Sequence, residues 1–370
     1  MQLEDFGYPV FYNSFRDDKC PVVIGKASLH AIGQAMKVVA ETPKIALIVD
    51  SSVANLYGNL VVDALKKSGF EVKFYYLAIE NKAKTMKTVE KYYQFFKSIR
   101  ADWGTTVLLM GGQVLIDAAA YAAITYCRGL RYVLIPTTLL SQVDGAVGGA
   151  TGVHFDHLTN YIGARRQPMM VWNDMSLLNS LPLREFRCGM AEIIKQSVVA
   201  DEKLFQTLEQ LPRFDYSDAE FLECVILRTV SVKSGLVDRG EDTCLNFGHT
   251  IGHALESVLH HEGIKHGEGV AIGMAGEMRA AEQLLLSSAE NRDRLEALLV
   301  KAELPIRIPE EFVERFKSKK SFAEKIWKNI LYDKKMFAQT LKWVVPNQIG
   351  RYTRLPVEKP LALDILMQLM

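Results

Sequence analysis

TTVLLMGGQVLID, residues 105–117, decides the fold: an apolar run with strand character meets Gly111 and Gly112 and passes into a helical pattern. Three further stretches read as buried strands: KIALIVDSS (44–52), EVKFYYLAI (71–79) and RYVLIPTT (131–138). Between them, segments such as ANLYGNLVVDALKKSG (54–69) and TVEKYYQFFKSIRADWG (88–104) carry apolar residues at three- and four-residue intervals. This alternation predicts an α/β domain with a parallel sheet covered by helices on both faces. From about Leu183 the apolar positions keep helical spacing, and long β-branched runs are absent until KWVVP (342–346), so the second half is mostly α-helical. The polar NDMSLLNSLP (173–182) marks the boundary, which divides the chain into 1–178 and 179–370. There is no internal repeat and no low-complexity segment.

The chain has 370 residues, 49% of them hydrophobic, enough for a core in each of two domains. Forty-four basic and 43 acidic side chains leave a net charge of +1, so no global field gathers nucleic acid or an anionic membrane. Any anion specificity has to come from a local pocket. The five cysteines are odd in number and form no CxxC pair, which suits free thiols in a reducing compartment. The opening MQLEDFGYPV is not a secretory signal, and the most apolar stretch, 107–126, contains a Gly pair, Gln113 and Asp117, a poor membrane span. The expectation is a cytoplasmic protein with a small-molecule partner, without nucleic acid or membrane.

Three regions carry chemistry. In LLMGGQVLID (108–117), glycines let the backbone approach a pyrophosphate and the following helix offers its N-terminal NH groups; a tight turn without a ligand fits about as well. In PTTLLSQVDGAVGGATG (136–152), the hydroxyls of Thr137 and Thr138 stand at a strand end and Asp144 precedes a Gly-rich turn; alone, this reads equally as a capped helix and loop. The third region joins GMAEIIK (189–195), LNFGHTIGHALE (245–256) and KHGEGVAIGM (265–274). His249 and His253, four apart, share a helix face with Glu256 a turn beyond, in a pattern different from HExxH because Thr250 follows the first His. Glu192, His249 and His266 would make a three-ligand zinc site with an open position. Against this stand histidines bonded in a core or lying on the surface; three polar motifs in one apolar helical domain weigh against that reading. Lys195 and Lys233 could be surface lysines or could hold an anion.

The order GG-x-V-x-x-D, C-RG, PTTLLSQVD, VGG-x-TG, GMAEIIK, LNFGHTIGHALE, HGEGVAIGM and DKK resembles the 3-dehydroquinate synthase family of sugar-phosphate cyclases, from about residue 44 to about residue 350. The resemblance implies a Rossmann-like NAD-binding domain over 1–178 and an α-helical metal- and substrate-binding domain over 179–370. It implies zinc or cobalt on Glu192, His249 and His266, and NAD on Asp50, Lys84, Gly111, Gly112, Asp117, Thr137 and Thr138. Arg128, Asp144, Asn160, Lys195, Lys233, Asn246, His253 and Lys334 would line the pocket for a phosphorylated polyol or keto-acid. A homodimer would bring the Arg128 of one copy to its neighbour's site. The implied reaction takes a seven-carbon keto-acid phosphate through NAD-dependent oxidation, phosphate elimination, reduction and aldol ring closure.

Several positions depart from the family pattern. Gln113 replaces a glycine where a positive φ would cost roughly 1 kcal/mol. Asn81, Ala150 and Thr159 stand where the family has a Glu and two lysines, and KSGLVDRGEDTCLN (233–246) is shorter than its family counterpart. Arg165 and Arg166 are candidates to restore the lost positive charge. Three readings follow: a divergent 3-dehydroquinate synthase; a related cyclase, of the 2-deoxy-scyllo-inosose synthase or heptulose phosphate type, whose substrate lacks the carboxylate; or a non-catalytic paralogue.

Overall fold

The computed structural model describes residues 2–15, 18–78, 84–156, 158–215, 217–332 and 341–370. The chain forms two compact units: Met1–Phe155 with Asn160–Pro182 and Leu222–Asp238, and Asp156–Thr159 with Leu183–Phe221 and Arg239–Met370.

The first unit is built on a seven-stranded sheet. Its strands are β1 (Val10–Phe15), β2 (Asp18–Gly25), β3 (Lys44–Asp50), β4 (Glu71–Leu77), β5 (Thr106–Gly111) and β6 (Arg131–Pro136), while β7 (Ala150–Phe155) and β8 (Leu158–Arg165) form a separate ribbon and β9 (Met170–Asp174) returns to the sheet. The order is β1-β2-β9-β6-β5-β3-β4, parallel throughout except for the antiparallel edge strand β1. Burial on both faces explains the sequence: every residue of β5 is buried, as are Ile45 to Val49 of β3. The helices of this unit are α1 (Ile32–Val39), the single turn α2 (Ser51–Val53), α3 (Asn59–Lys67), α4 (Met86–Ser98) and α5 (Gln113–Thr125). Alanines 118, 119, 120, 122 and 123 keep α5 thin enough to lie close to the sheet.

In the second unit the helical pattern becomes α6 (Leu183–Ala200), α7 (Glu202–Gln210), the start of α8 (Ala219–Asp238), α9 (His249–Val258), α10 (His266–Gln283), α11 (Ala289–Lys301), α12 (Glu310–Val313), α13 (Lys319–Leu331) and α14 (Lys359–Gln368). A ribbon of β10 (Lys342–Gln348) and β11 (Arg351–Pro356) joins them. Ile251, Leu255, Ile272, Phe322, Ile326, Trp343 and Ile365 form much of this unit's core. Cys20, Cys188 and Cys244 are buried and Cys127 and Cys224 exposed, all free thiols. Among the described residues no helix is long and apolar enough to cross a membrane.

The packing of α9 on α10 positions the chemistry of the second unit. Gly248, which heads α9, has φ 77°, and a Cβ there would stand 2.6 Å from the Val270 carbonyl oxygen. A Cβ on Gly273 of α10 would overlap the Gly248 carbonyl oxygen, and one on Gly252 would lie 2.9 Å from the Gly269 oxygen. Gly248 and Gly252 on α9 and Gly273 on α10 therefore let the backbones touch, which a side chain at any of the three would prevent. Gly273→Ala is expected to force the helices apart and to lower stability by roughly 3 kcal/mol, read from the urea midpoint; an unchanged midpoint would contradict the backbone contact.

Candidate functional site

In the first unit the residues singled out for a dinucleotide collect along one edge of the sheet. Met110 is in register with Val49 and Ile135, and Gly111 with Pro136, so Asp50, the Gly111 and Gly112 pair, Thr137 and Thr138 all stand at the carboxyl ends of β3, β5 and β6. The chain passes from β3 to β4 on one side and places β5 on the other, which makes the gap between β3 and β5 a topological switch point. Gly112 caps α5 in extended conformation, φ −80° and ψ 179°, and a Cβ on it would meet the Thr138 methyl at 3.1 Å. The glycines therefore serve close approach, and neither adopts positive φ.

This corrects the expectation about Gln113. It is the first residue of α5 and lies outside the positive-φ region, so the strain cost does not arise. Its Nε2 donates to Asp117 Oδ1 at 2.7 Å, and its amide fills the space beside Gly145. The other Asp117 oxygen pairs with the Lys84 ammonium, both groups being nearly buried. Asp50 accepts from the amide and hydroxyl of Ser52 at 3.0 and 2.9 Å, and Thr138 Oγ1 lies 2.8 Å from Ser141 Oγ.

Four further residues from the sequence analysis lie in the same unit. Lys233 Nζ is 2.8 Å from Asp144 Oδ1, so the α8 lysine is joined to the loop after β6. Asn160, with φ 52°, donates its backbone amide to His154 Nδ1 at 3.0 Å. Arg128 lies in a left-handed turn just before β6, at the sheet edge opposite Thr137 and Thr138. Arg166 does not turn toward Asn160 as a replacement cation; its guanidinium rests on Gly129 in the Arg128 turn, and Arg165 is exposed.

In the second unit, α6, α9 and α10 bring the metal-ligand candidates together. Glu192 is 0% exposed. The Lys195 ammonium, one turn on, lies against Oε2, while Oε1 is 3.6 Å from His249 Nε2 and 3.5 Å from His266 Nε2. His253 joins them: its ring is 5.0 Å from that of His249 and 5.6 Å from that of His266. Ligand atoms of the three histidines all lie within 4.8 Å of one another. One buried carboxylate and three converging imidazoles suit a divalent first-row cation, so the residues present fit a metal. Asn246, half-buried, ends the 3₁₀ turn Asp242–Asn246 just before α9. Lys334 and Asn81 lie outside the described residues.

Sequence reasoning assigned no role to two acids of this cluster. Glu256 Oε1 lies 2.8 Å from His266 Nδ1, which turns the other ring nitrogen toward Glu192. Burial opposes the charged form of His266, yet Glu256 and Glu192 outweigh it and raise its pKa to about 10. Glu256 had a signal, since it follows His253 by three residues on the same helix face. Glu277, buried on α10, accepts from the Gly248 amide at 2.7 Å; only its presence in an apolar run could have drawn attention to it.

Comparison with known proteins places the chain in a family. Residues 75–188 match the 3-dehydroquinate synthase N-terminal model and residues 189–336 the C-terminal one. A 3-dehydroquinate synthase from a Nostoc species is 37% identical over 340 residues, 90% of this chain and 91% of the relative. One from Thermosynechococcus vestitus is 41% identical over 320 residues, 84% of each chain. Among solved structures, a 2-deoxy-scyllo-inosose synthase complexed with carbaglucose-6-phosphate, NAD+ and Co2+ superposes with a TM-score of 0.84 at 22% identity, covering 98% of this chain and 100% of that one. A 2-epi-5-epi-valiolone synthase from Streptomyces hygroscopicus with NAD+ and Zn2+ bound gives 0.82 at 24% identity, covering 96% of this chain and 98% of that one. Matched in both halves and along most of its length, the chain belongs to the 3-dehydroquinate synthase family.

Proposed function

We propose that this chain is an NAD- and metal-dependent sugar-phosphate cyclase, a phosphate-eliminating carbon–oxygen lyase, and that its substrate is a seven-carbon keto-acid phosphate. The observation that carries the reading is the convergence of Glu192, His249, His253 and His266, a donor set with no evident structural purpose. Glu192, His249 and His266 would hold zinc or cobalt, with Glu256 steering His266. Asp50, Lys84, Gly111, Gly112, Asp117, Thr137 and Thr138 would hold NAD. Bound there, NAD and the metal supply hydride exchange and polarisation of a substrate oxygen.

The remaining work falls to side chains. His253, beside the ligands but with Glu192 available as the anionic donor, is placed to take or give a proton at a substrate oxygen. Lys195 pairs with Glu192, and Asp144 holds Lys233 where an anionic substrate group would meet it. Asn160, Asn246 and Lys334 complete the proposed substrate contacts. Arg128, on the sheet edge away from the proposed NAD residues of its own unit, fits a role in a partner copy of a homodimer, as the family resemblance implies.

A second reading has specific support. Lys233 is joined to Asp144 and Lys195 to Glu192, Ala150 and Thr159 add no charge, and Arg166 rests on Gly129. Among the described residues, these lysines are already set against carboxylates rather than left for both a substrate carboxylate and a phosphate. A substrate without the carboxylate, such as a hexose or heptulose phosphate, suits this count, and the 2-deoxy-scyllo-inosose synthase with carbaglucose-6-phosphate offers a parallel.

Elemental analysis is expected to find one zinc or cobalt per chain, lost in His249→Ala. Glu256→Gln is expected to retain the metal with affinity lowered by roughly tenfold. Metal retained at full stoichiometry by His249→Ala would remove the ligand assignment. With NAD and zinc supplied, phosphate release from the seven-carbon keto-acid phosphate is expected. Release only from hexose or heptulose phosphates would favour the second reading, and no NAD affinity at millimolar concentration would favour the non-catalytic paralogue.

A further inference from the structure

Three turns along α10 from His266, Glu277 is 0% exposed in the run GVAIGMAGEM, whose other members are small or apolar. A carboxylate in such surroundings is costly unless donors hold it. Its Oε2 accepts the Gly248 amide at 2.7 Å. That amide heads α9, where the first NH groups lack intrahelical acceptors, and Gly248 has no side chain with which to cap them. Glu277 therefore caps α9 from the neighbouring helix, where a negative charge also meets the positive end of the helix dipole.

The residue after Gly248 is His249, and the turn around it is fixed at three points. His249 Nδ1 lies 3.1 Å from the Phe247 carbonyl oxygen, the Gly248 amide is held by Glu277, and the Gly248 carbonyl is in contact with Gly273. The glycine contacts set how close α9 and α10 come, but glycine surfaces are smooth and leave sliding and rotation weakly opposed. A buried, charge-assisted hydrogen bond is directional and opposes both.

We propose that Glu277 is a positioning residue for the metal cluster. By holding the Gly248 amide it fixes where α9 begins on α10, and with that the height and rotation at which His249 and His253 meet Glu192 and His266. Its contact with α9 is to the backbone amide of Gly248. The inference rests on reading the cluster as a metal site.

Two variants separate reach from charge. Glu277→Gln keeps the length and an acceptor oxygen; Glu277→Asp keeps the charge but draws the carboxylate back by one methylene. Zinc affinity is measured by competition with a chromophoric chelator, the visible spectrum of the cobalt-loaded protein reports ligand geometry, and the melting temperature is taken on metal-free protein. Glu277→Asp is expected to weaken zinc by roughly tenfold and to alter the cobalt bands, while Glu277→Gln stays within about threefold of wild type. A lower metal-free melting temperature in Glu277→Asp with wild-type zinc affinity and cobalt spectrum would overturn the inference, as would equal losses in both variants. Wild-type protein that takes up no zinc would instead overturn the metal reading itself, a result distinguishable from either.

Discussion

Glu192 is a carboxylate fully buried within the eighteen-residue helix α6, and the chemistry of the second unit is arranged around it. Burying such a charge costs several kcal/mol unless other charges or a metal compensate. Lys195 provides one positive group a turn away, and the nitrogens of His249 and His266 approach to 3.6 and 3.5 Å. Those rings reach the same oxygen where α9 and α10 touch at their backbones, which requires Gly248, Gly252 and Gly273. Glu256 then turns one ring and Glu277 holds the first residue of α9.

The sequence made some of this legible for physical reasons. Strands buried on both faces become near-continuous apolar runs, so β3, β5 and β6 stand out, whereas β1, VFYNSF, mixes Asn13 and Ser14 into an edge strand, and β9 has only five residues. Histidines four apart on one helix face announced the cluster. Glu277 could not be foreseen, because its value comes from a contact between helices and no local spacing encodes it. The reading of Gln113 failed for a related reason: it assumed that a glycine position must have positive φ, whereas the chain enters α5 directly and needs only close approach at Gly111 and Gly112.

The distribution of charge bears on the substrate. Positively charged groups near a metal or phosphate work only to the extent that other protein groups have not already neutralised them. Here Asp144 faces Lys233, Glu192 faces Lys195, and Asp117 faces Lys84. Arg166, just after β8, braces the Arg128 turn through Gly129. The family fold is therefore kept with these three lysines each set against a carboxylate.

The central claim is that Glu192, His249 and His266 hold one metal ion. Crystals grown with cobalt and measured on both sides of the cobalt absorption edge test it most directly. The account predicts one anomalous peak per chain, within bonding distance of a Glu192 oxygen and of the Nε2 atoms of both histidines. A peak elsewhere, or none at full cobalt occupancy in solution, would contradict it.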